Sequence, residues 1–160
     1  LEGELTEQEI SFGTEITQKV GEMLDLLSNH PKTLIHSDLR ADNLLFDREG
    51  NKVFIVDWQG TSTGPAGWDL AYFMSQSLSV ETRRKNEAML LDRYMESLKE
   101  TGKNLDPAEA LAGYADSMLY GLVVACSLPL ISDENEKRVK ELASVMTRRS
   151  FEAMKDHNKF

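Results

Sequence analysis

Leu34-Ile35-His36-Ser37-Asp38-Leu39-Arg40-Ala41-Asp42-Asn43-Leu44-Leu45-Phe46 packs His, Asp, Arg and Asn into a short polar stretch between two apolar runs. Val53-Phe54-Ile55-Val56-Asp57 follows, an apolar run that ends on a carboxylate. The intervening Asp47-Arg48-Glu49-Gly50-Asn51 is a turn by composition, so residues 43–46 and 52–56 read as the two arms of a β-hairpin. Residues 33–36 form a shorter β-like run leading into the polar loop.

A hairpin returns its far end to its start, which sets Asp57 beside the loop that carries Asp38 and Asn43. A carboxylate and an amide in a non-helical loop can converge on one point. Magnesium takes oxygen ligands, few of them from protein and the rest from phosphate and water. Asp57 with Asn43 meets that requirement and leaves Asp38 to accept a proton from an attacking hydroxyl. Singly, Asp and Asn are ordinary loop residues that bond their own backbone. The ordered set carries the reading.

Around this centre the chain reads as helical. Thr6 with Glu9 can form a capping box, and Ile10, Ile16, Val20, Met23, Leu24 and Leu27 describe one helix ending at Asn29-His30-Pro31. His30 at that boundary is expected in solvent. Gly60-Thr61-Ser62-Thr63-Gly64-Pro65-Ala66-Gly67 reads as loop. A buried helix then carries Trp68, Leu70, Ala71, Phe73 and Met74, and a second begins at the Ser79 cap and ends near Gly102. Asp106-Pro107 opens a third that Pro129 should stop, and Asp133 opens a last one with Val139, Leu142, Ala143, Met146 and Phe151 inward. Met74, Met89, Met95 and Met146 are expected in the core. The fold class is α+β, mostly α: a small β-hairpin carrying the loop, packed on about five helices.

The chain has 160 residues, with 41% hydrophobic and 28% charged, which suits one globular domain. Its net charge of −9 disfavours nucleic acid as a partner, because no basic stripe is available to displace counterions from phosphates. The lone Cys126 cannot form an internal disulfide and is expected to be an inert core thiol. No signal segment and no membrane-length apolar run is read, so a cytoplasmic protein without a membrane partner is expected. His157 has no ligand residues beside it and is expected at the surface.

The segment 36–43 resembles the catalytic loop of the aminoglycoside phosphotransferase and choline kinase group within the protein-kinase-like fold. Val56-Asp57-Trp58-Gln59 resembles that group's metal-binding segment, and residues 64–73 resemble the stretch that follows it. Residues 77–94 are most similar to the ecdysteroid-kinase-like branch, and the likeness runs over about residues 33–125. The resemblance implies Asp38 as catalytic base and Asn43 and Asp57 as magnesium ligands. It places Arg40 where a cationic residue can meet the transferred phosphate, and gives His36 and Asp69 structural support of the loop. Ser37 departs from the group's usual Gly, at a place where positive φ is cheap only for Gly.

The resemblance also implies ATP as phosphoryl donor, magnesium, and a small-molecule hydroxyl acceptor whose pocket is built by helices after residue 79. Residues 1–33 hold no Gly-rich hairpin and no phosphate-binding Lys between strands. The 160 residues are therefore expected to be the C-terminal, catalytic-loop lobe, a single domain lacking the N-terminal ATP-clamping lobe and inactive alone. The alternative is a non-catalytic kinase-like binding or scaffold module. A protein kinase fits less well, since no Ala-Pro-Glu segment follows Asp57.

Overall fold

A computed structural model of the chain describes residues 6–102, 106–131 and 137–159. Among the described residues six α-helices enclose the core: α1 (Glu7–Gln18), α2 (Val20–Ser28), α3 (Trp68–Ser77), α4 (Val80–Glu100), α5 (Pro107–Ile131) and α6 (Lys137–Asp156). Four short strands, β1 (Lys32–Ile35), β2 (Leu44–Phe46), β3 (Val53–Ile55) and β4 (Ser62–Pro65), form two antiparallel pairs. The architecture is mostly helical, as the sequence indicates.

The segment expected to be one helix is two. The capping box forms, Glu9 N–H donating to Thr6 Oγ1 (3.2 Å) and Thr6 N–H to Glu9 Oε2 (2.8 Å). The helix then breaks at Lys19, where φ is −107°. The apolar spacing explains this: a step of six from Ile10 to Ile16 loses one helical face, and the break re-aims Met23 and Leu27 into the core. Ile10 and Leu24, expected inward, are exposed.

The stretch read as loop at 60–67 holds a strand. β4 pairs with β1 in the register Lys32↔Pro65, Thr33↔Gly64, Leu34↔Thr63 and Ile35↔Ser62. Its Gly64 and Pro65 have low strand propensity, so the partner strand about thirty residues away decides it. The hairpin forms as read, with Leu44↔Ile55, Leu45↔Phe54 and Phe46↔Val53 opposite each other.

α5 lies at the centre. Tyr114, Met118 and Leu122 of α5 are buried with Ala71 and Met74 of α3 and Phe151, Ala153 and Met154 of α6. α5 is also long and apolar enough over Pro107–Ser127 to cross a membrane, contrary to the sequence reading, yet more than half of that window is buried inside the fold. It runs on past Pro129 to Ile131, two residues beyond the expected stop. The expected start at Asp133 lies outside the described residues. At the α3 N-terminus Gly67 has φ +92°, and a Cβ there would sit 3.0 Å from Tyr114 Cβ, so this junction requires glycine.

α4 fully buries only Arg83, packs Leu90 and Leu91 partly against the core, and is tied down by charge. Arg83 pairs with Glu87 (2.7 Å) and with Asp156 of α6, and Arg84 reaches Glu152 and Asp156. Glu87 also accepts from Tyr114 Oη (2.5 Å) and pairs with His157 (2.8 Å), so His157 is half-buried and engaged where the sequence suggested a free surface residue. His30 is likewise bonded, Nε2 2.8 Å from Asp116 Oδ2, because α5 passes beside the end of α2. Met89 is exposed and leaves the expected core set. Cys126 is half-buried, and burial pushes its thiol pKa up.

Candidate active site

The polar loop between β1 and β2 is held by side chains from three elements. Asp69, at the start of α3, accepts His36 N–H on Oδ2 (2.7 Å) and Ser37 N–H on Oδ1 (3.0 Å). His36 is buried, with Nε2 2.8 Å from the Val56 carbonyl and Nδ1 accepting Asp38 N–H (3.3 Å). Both bonds together require the neutral ring with its proton on Nε2. Trp58 packs on that ring, centroids 4.8 Å apart. Through His36 the loop is tied to the end of β3, and so Asp38 is tied to the segment carrying Asp57.

Asn43 closes the loop from the other end. Its Nδ2 donates to Asp38 O (2.8 Å) and to Asp38 Oδ2 (3.3 Å), and its carbonyl accepts Val56 N–H (3.0 Å). With the amide nitrogen committed, Oδ1 is the atom left to meet a ligand. Asp57 is exposed and hydrogen-bonds to none of the described residues. Among the described residues no three His, Cys, Asp or Glu side chains converge as a metal cage. Asn43 Oδ1 and the Asp57 carboxylate are the oxygen groups here that could hold a magnesium ion, which takes few protein ligands.

Two non-glycine residues adopt left-handed backbone here, Ser37 (φ 74°) and Asp57 (φ 66°). Each costs about 1–2 kcal/mol, and such strain persists only where surroundings impose it. At Ser37 the imposing group is the Asp69 carboxylate on its N–H, so the loop keeps its shape without the group's usual Gly. At Asp57 the short 3-10 turn Trp58–Gly60 begins directly after it. Arg40 leans over the loop, Nε 3.6 Å from Asp38 Oδ2 and Nη1 3.9 Å from Asp42 Oδ2.

Sequence reasoning missed Tyr72, Tyr120 and Ser77. Burial raises both phenol pKa values, and the Asp38 charge raises them further. Tyr120 stacks against Trp68 (4.3 Å) and lies near Tyr72 (5.9 Å). Ser77 Oγ accepts Ala41 N–H (2.9 Å). One signal was available: Asp69, Tyr72 and Gln76 are spaced three and four apart, on one helical face. Beside Ser37 a cavity of about 300 Å³ is lined by Leu27, Ile35, Ser62, Thr63, Trp68 and Tyr120. The buried indole N–H of Trp68 has no hydrogen-bond partner. α4, expected among the pocket helices, lines no part of this cavity.

The model of the ecdysteroid kinase-like family matches residues 4–106, which span α1 to the α4–α5 connection and contain the whole loop. The chain belongs to the ecdysteroid kinase-like family. The match starts and ends earlier than the likeness read from the motifs. An uncharacterized kinase-like protein of Caenorhabditis elegans is 32% identical over 103 residues, 62% of this chain and 26% of that protein. A 4-hydroxytryptamine kinase of Psilocybe cubensis is 30% identical over 106 residues, 60% of this chain and 29% of that protein. This ecdysteroid kinase-like chain therefore spans little more than a quarter of the relatives it matches.

Proposed function

We propose that this chain is the catalytic-loop lobe of an ATP- and magnesium-dependent phosphotransferase acting on a small-molecule hydroxyl. The observation that carries the reading is Asn43, which holds Asp38 with its amide nitrogen and keeps Oδ1 for a metal. Asp38 is the base that takes the acceptor's hydroxyl proton, with its carboxylate oriented by Asn43 and Arg40 beside it. Asn43 Oδ1 and the Asp57 carboxylate would hold magnesium, which supplies charge neutralisation on the donor phosphates. Arg40 meets charge that develops on the phosphoryl oxygens. His36 and Asp69 fix the loop backbone and do not touch reactants.

The acceptor's place is the cavity beside Ser37, where apolar walls, the Ser62 and Thr63 hydroxyls and the unpartnered Trp68 N–H favour an alcohol carrying a further hydrogen-bond acceptor. The relative named 4-hydroxytryptamine kinase supports a hydroxyl-bearing small molecule as the class. An ATP-gripping lobe is the partner we assign to the exposed apolar strip of the hairpin, Leu45, Phe46, Val53 and Phe54. A cytoplasmic location goes with ATP as the donor.

The test uses the longer protein that carries this chain together with such a lobe. Asp38→Ala should lower kcat about a thousandfold while leaving magnesium-dependent ATP binding near normal. Near-normal turnover by that variant would remove Asp38 as the base. Absence of any magnesium-dependent ATP binding in the unmutated protein would favour a non-catalytic module.

A further inference from the structure

Gly67, between β4 and α3, is buried, so its backbone N–H needs a partner inside the protein. It caps α3 with φ +92°, and no side chain beside it supplies a capping bond. Its N–H donates instead to Tyr94 Oη (3.0 Å), which comes from the C-terminal half of α4. Its carbonyl accepts Ala71 N–H (2.8 Å) and closes the first turn of α3. One polar group of this residue thus starts α3, and the other is tied to α4.

A second tyrosine meets the same residue. A Cβ on Gly67 would stand 3.0 Å from Tyr114 Cβ, and Tyr114 Oη donates to Glu87 of α4 (2.5 Å). Just past Gly67, in that first turn, Asp69 accepts the His36 and Ser37 N–H groups. A continuous path therefore runs from Tyr94 through Gly67 and Asp69 to the polar loop. Between β1 and α4 a cavity of about 230 Å³ is lined by Thr33, Leu34, Asp69, Leu70, Tyr94 and Leu98. Packing is incomplete there, so apolar contact does not replace the hydroxyl's bond, and without it the start of α3 has room to move.

We propose that Tyr94 is a positioning residue for the catalytic loop, acting through Gly67 and Asp69. Its hydroxyl fixes the first turn of α3, which fixes the Asp69 carboxylate, which in turn sets His36, Ser37 and the adjacent Asp38. Tyr94 itself touches no reactant. The catalytic part of this role rests on the phosphotransferase reading; the tie between α4 and the loop does not.

The test is amide hydrogen exchange on the 160-residue chain. Tyr94→Phe keeps the ring and removes the hydroxyl, whereas Leu98→Ala enlarges the same cavity and keeps the hydroxyl. In Tyr94→Phe, exchange at Gly67, His36 and Ser37 should quicken about tenfold or more, with Met118 and Leu122 of α5 within about twofold of wild type. In Leu98→Ala those three amides should move no more than the α5 amides do. Unchanged exchange at His36 and Ser37 in Tyr94→Phe, an equal change in α5, or as large a local change in Leu98→Ala would overturn the proposal. Should Tyr94→Phe fail to fold, the unmutated chain decides. Gly67, His36 and Ser37 should then open together, with protection within about threefold of one another, and a wider spread would overturn the tie.

With the chain joined to the ATP-gripping lobe proposed for it, Tyr94→Phe should lower kcat about tenfold and leave the KM for ATP within about twofold. An unchanged kcat beside a loosened loop would overturn the positioning role. Absence of turnover in the unmutated protein would defeat the phosphotransferase reading and the catalytic role with it, while the exchange result still decides the tie.

Discussion

The helical side and the hairpin side of this molecule treat their apolar residues in opposite ways. Around α5, Met118, Leu122, Phe151 and Met154 are buried almost completely, and the ridges of α3 and α6 close over them. On the hairpin, Leu45, Phe46, Val53, Phe54 and Ile55 are all 40–63% exposed, on both faces of the two strands. A two-stranded hairpin of this kind is marginal on its own. It is kept in place by polar ties to the loop, Val56 N–H to Asn43 O and His36 Nε2 to Val56 O. Stability therefore resides in the bundle, and the site hangs on its edge by hydrogen bonds.

The comparison can be broken most sharply in the bundle. Phe151→Ala should destabilise the chain by about 3–5 kcal/mol, measured by denaturant unfolding, because the ring leaves a cavity among α1, α5 and α6. A loss below about 1 kcal/mol would mean that the helical core is looser than its burial implies.

At the junction of the two regions, Asp69→Ala leaves the His36 and Ser37 N–H groups without their acceptor. Each unsatisfied buried donor costs about 1–3 kcal/mol, so a loss of about 2–4 kcal/mol is expected in the same unfolding measurement. Faster amide exchange should be confined to the loop. Exchange spreading evenly through α5 would contradict the view that Asp69 acts locally.

The tie between α1 and α6 is tested by acid. Burial raises the Glu9 pKa, yet Lys155, Thr6 and Arg148 together bring it from the ordinary 4.5 down to about 2. A carboxyl with a lowered folded pKa stabilises above its unfolded value, and that contribution is lost as the pH falls toward 2. Wild type should melt several degrees above Glu9→Gln near pH 6, and the gap should shrink steadily from pH 4.5 to pH 2. A gap independent of pH would show that Glu9 acts by packing alone.

The smallest effect belongs to the hairpin. Phe54→Ala should change the stability of this chain by no more than about 0.5 kcal/mol, since the ring is largely in water already. With the chain joined to the ATP-gripping lobe we propose for it, the same substitution should weaken ATP binding measurably. An equally silent mutation there would remove the hairpin as that lobe's seat.

Much of this was legible in the residues. The hairpin, the Thr6–Glu9 box, the Ser79 cap and the buried α3 follow from local chemistry that acts within a few positions. So does the polar loop itself, which Asn43 closes onto Asp38 five residues away. The misreadings share a different origin. β4 has a loop's composition and becomes a strand only against β1, while His30 and His157 looked solvated until α5 and α4 supplied Asp116 and Glu87.

What the sequence determined by itself was the loop and the hairpin after it, because the side chains that define them lie close together along the backbone. What the tertiary structure decided was everything that meets the loop from elsewhere. Asp69 arrives from α3 to hold Ser37 in a conformation its Cβ resists, and Tyr120 arrives from α5 to pack against Trp68 in the wall of the cavity beside Ser37. No local pattern encodes such meetings, since they depend on how whole helices pack around a shared core.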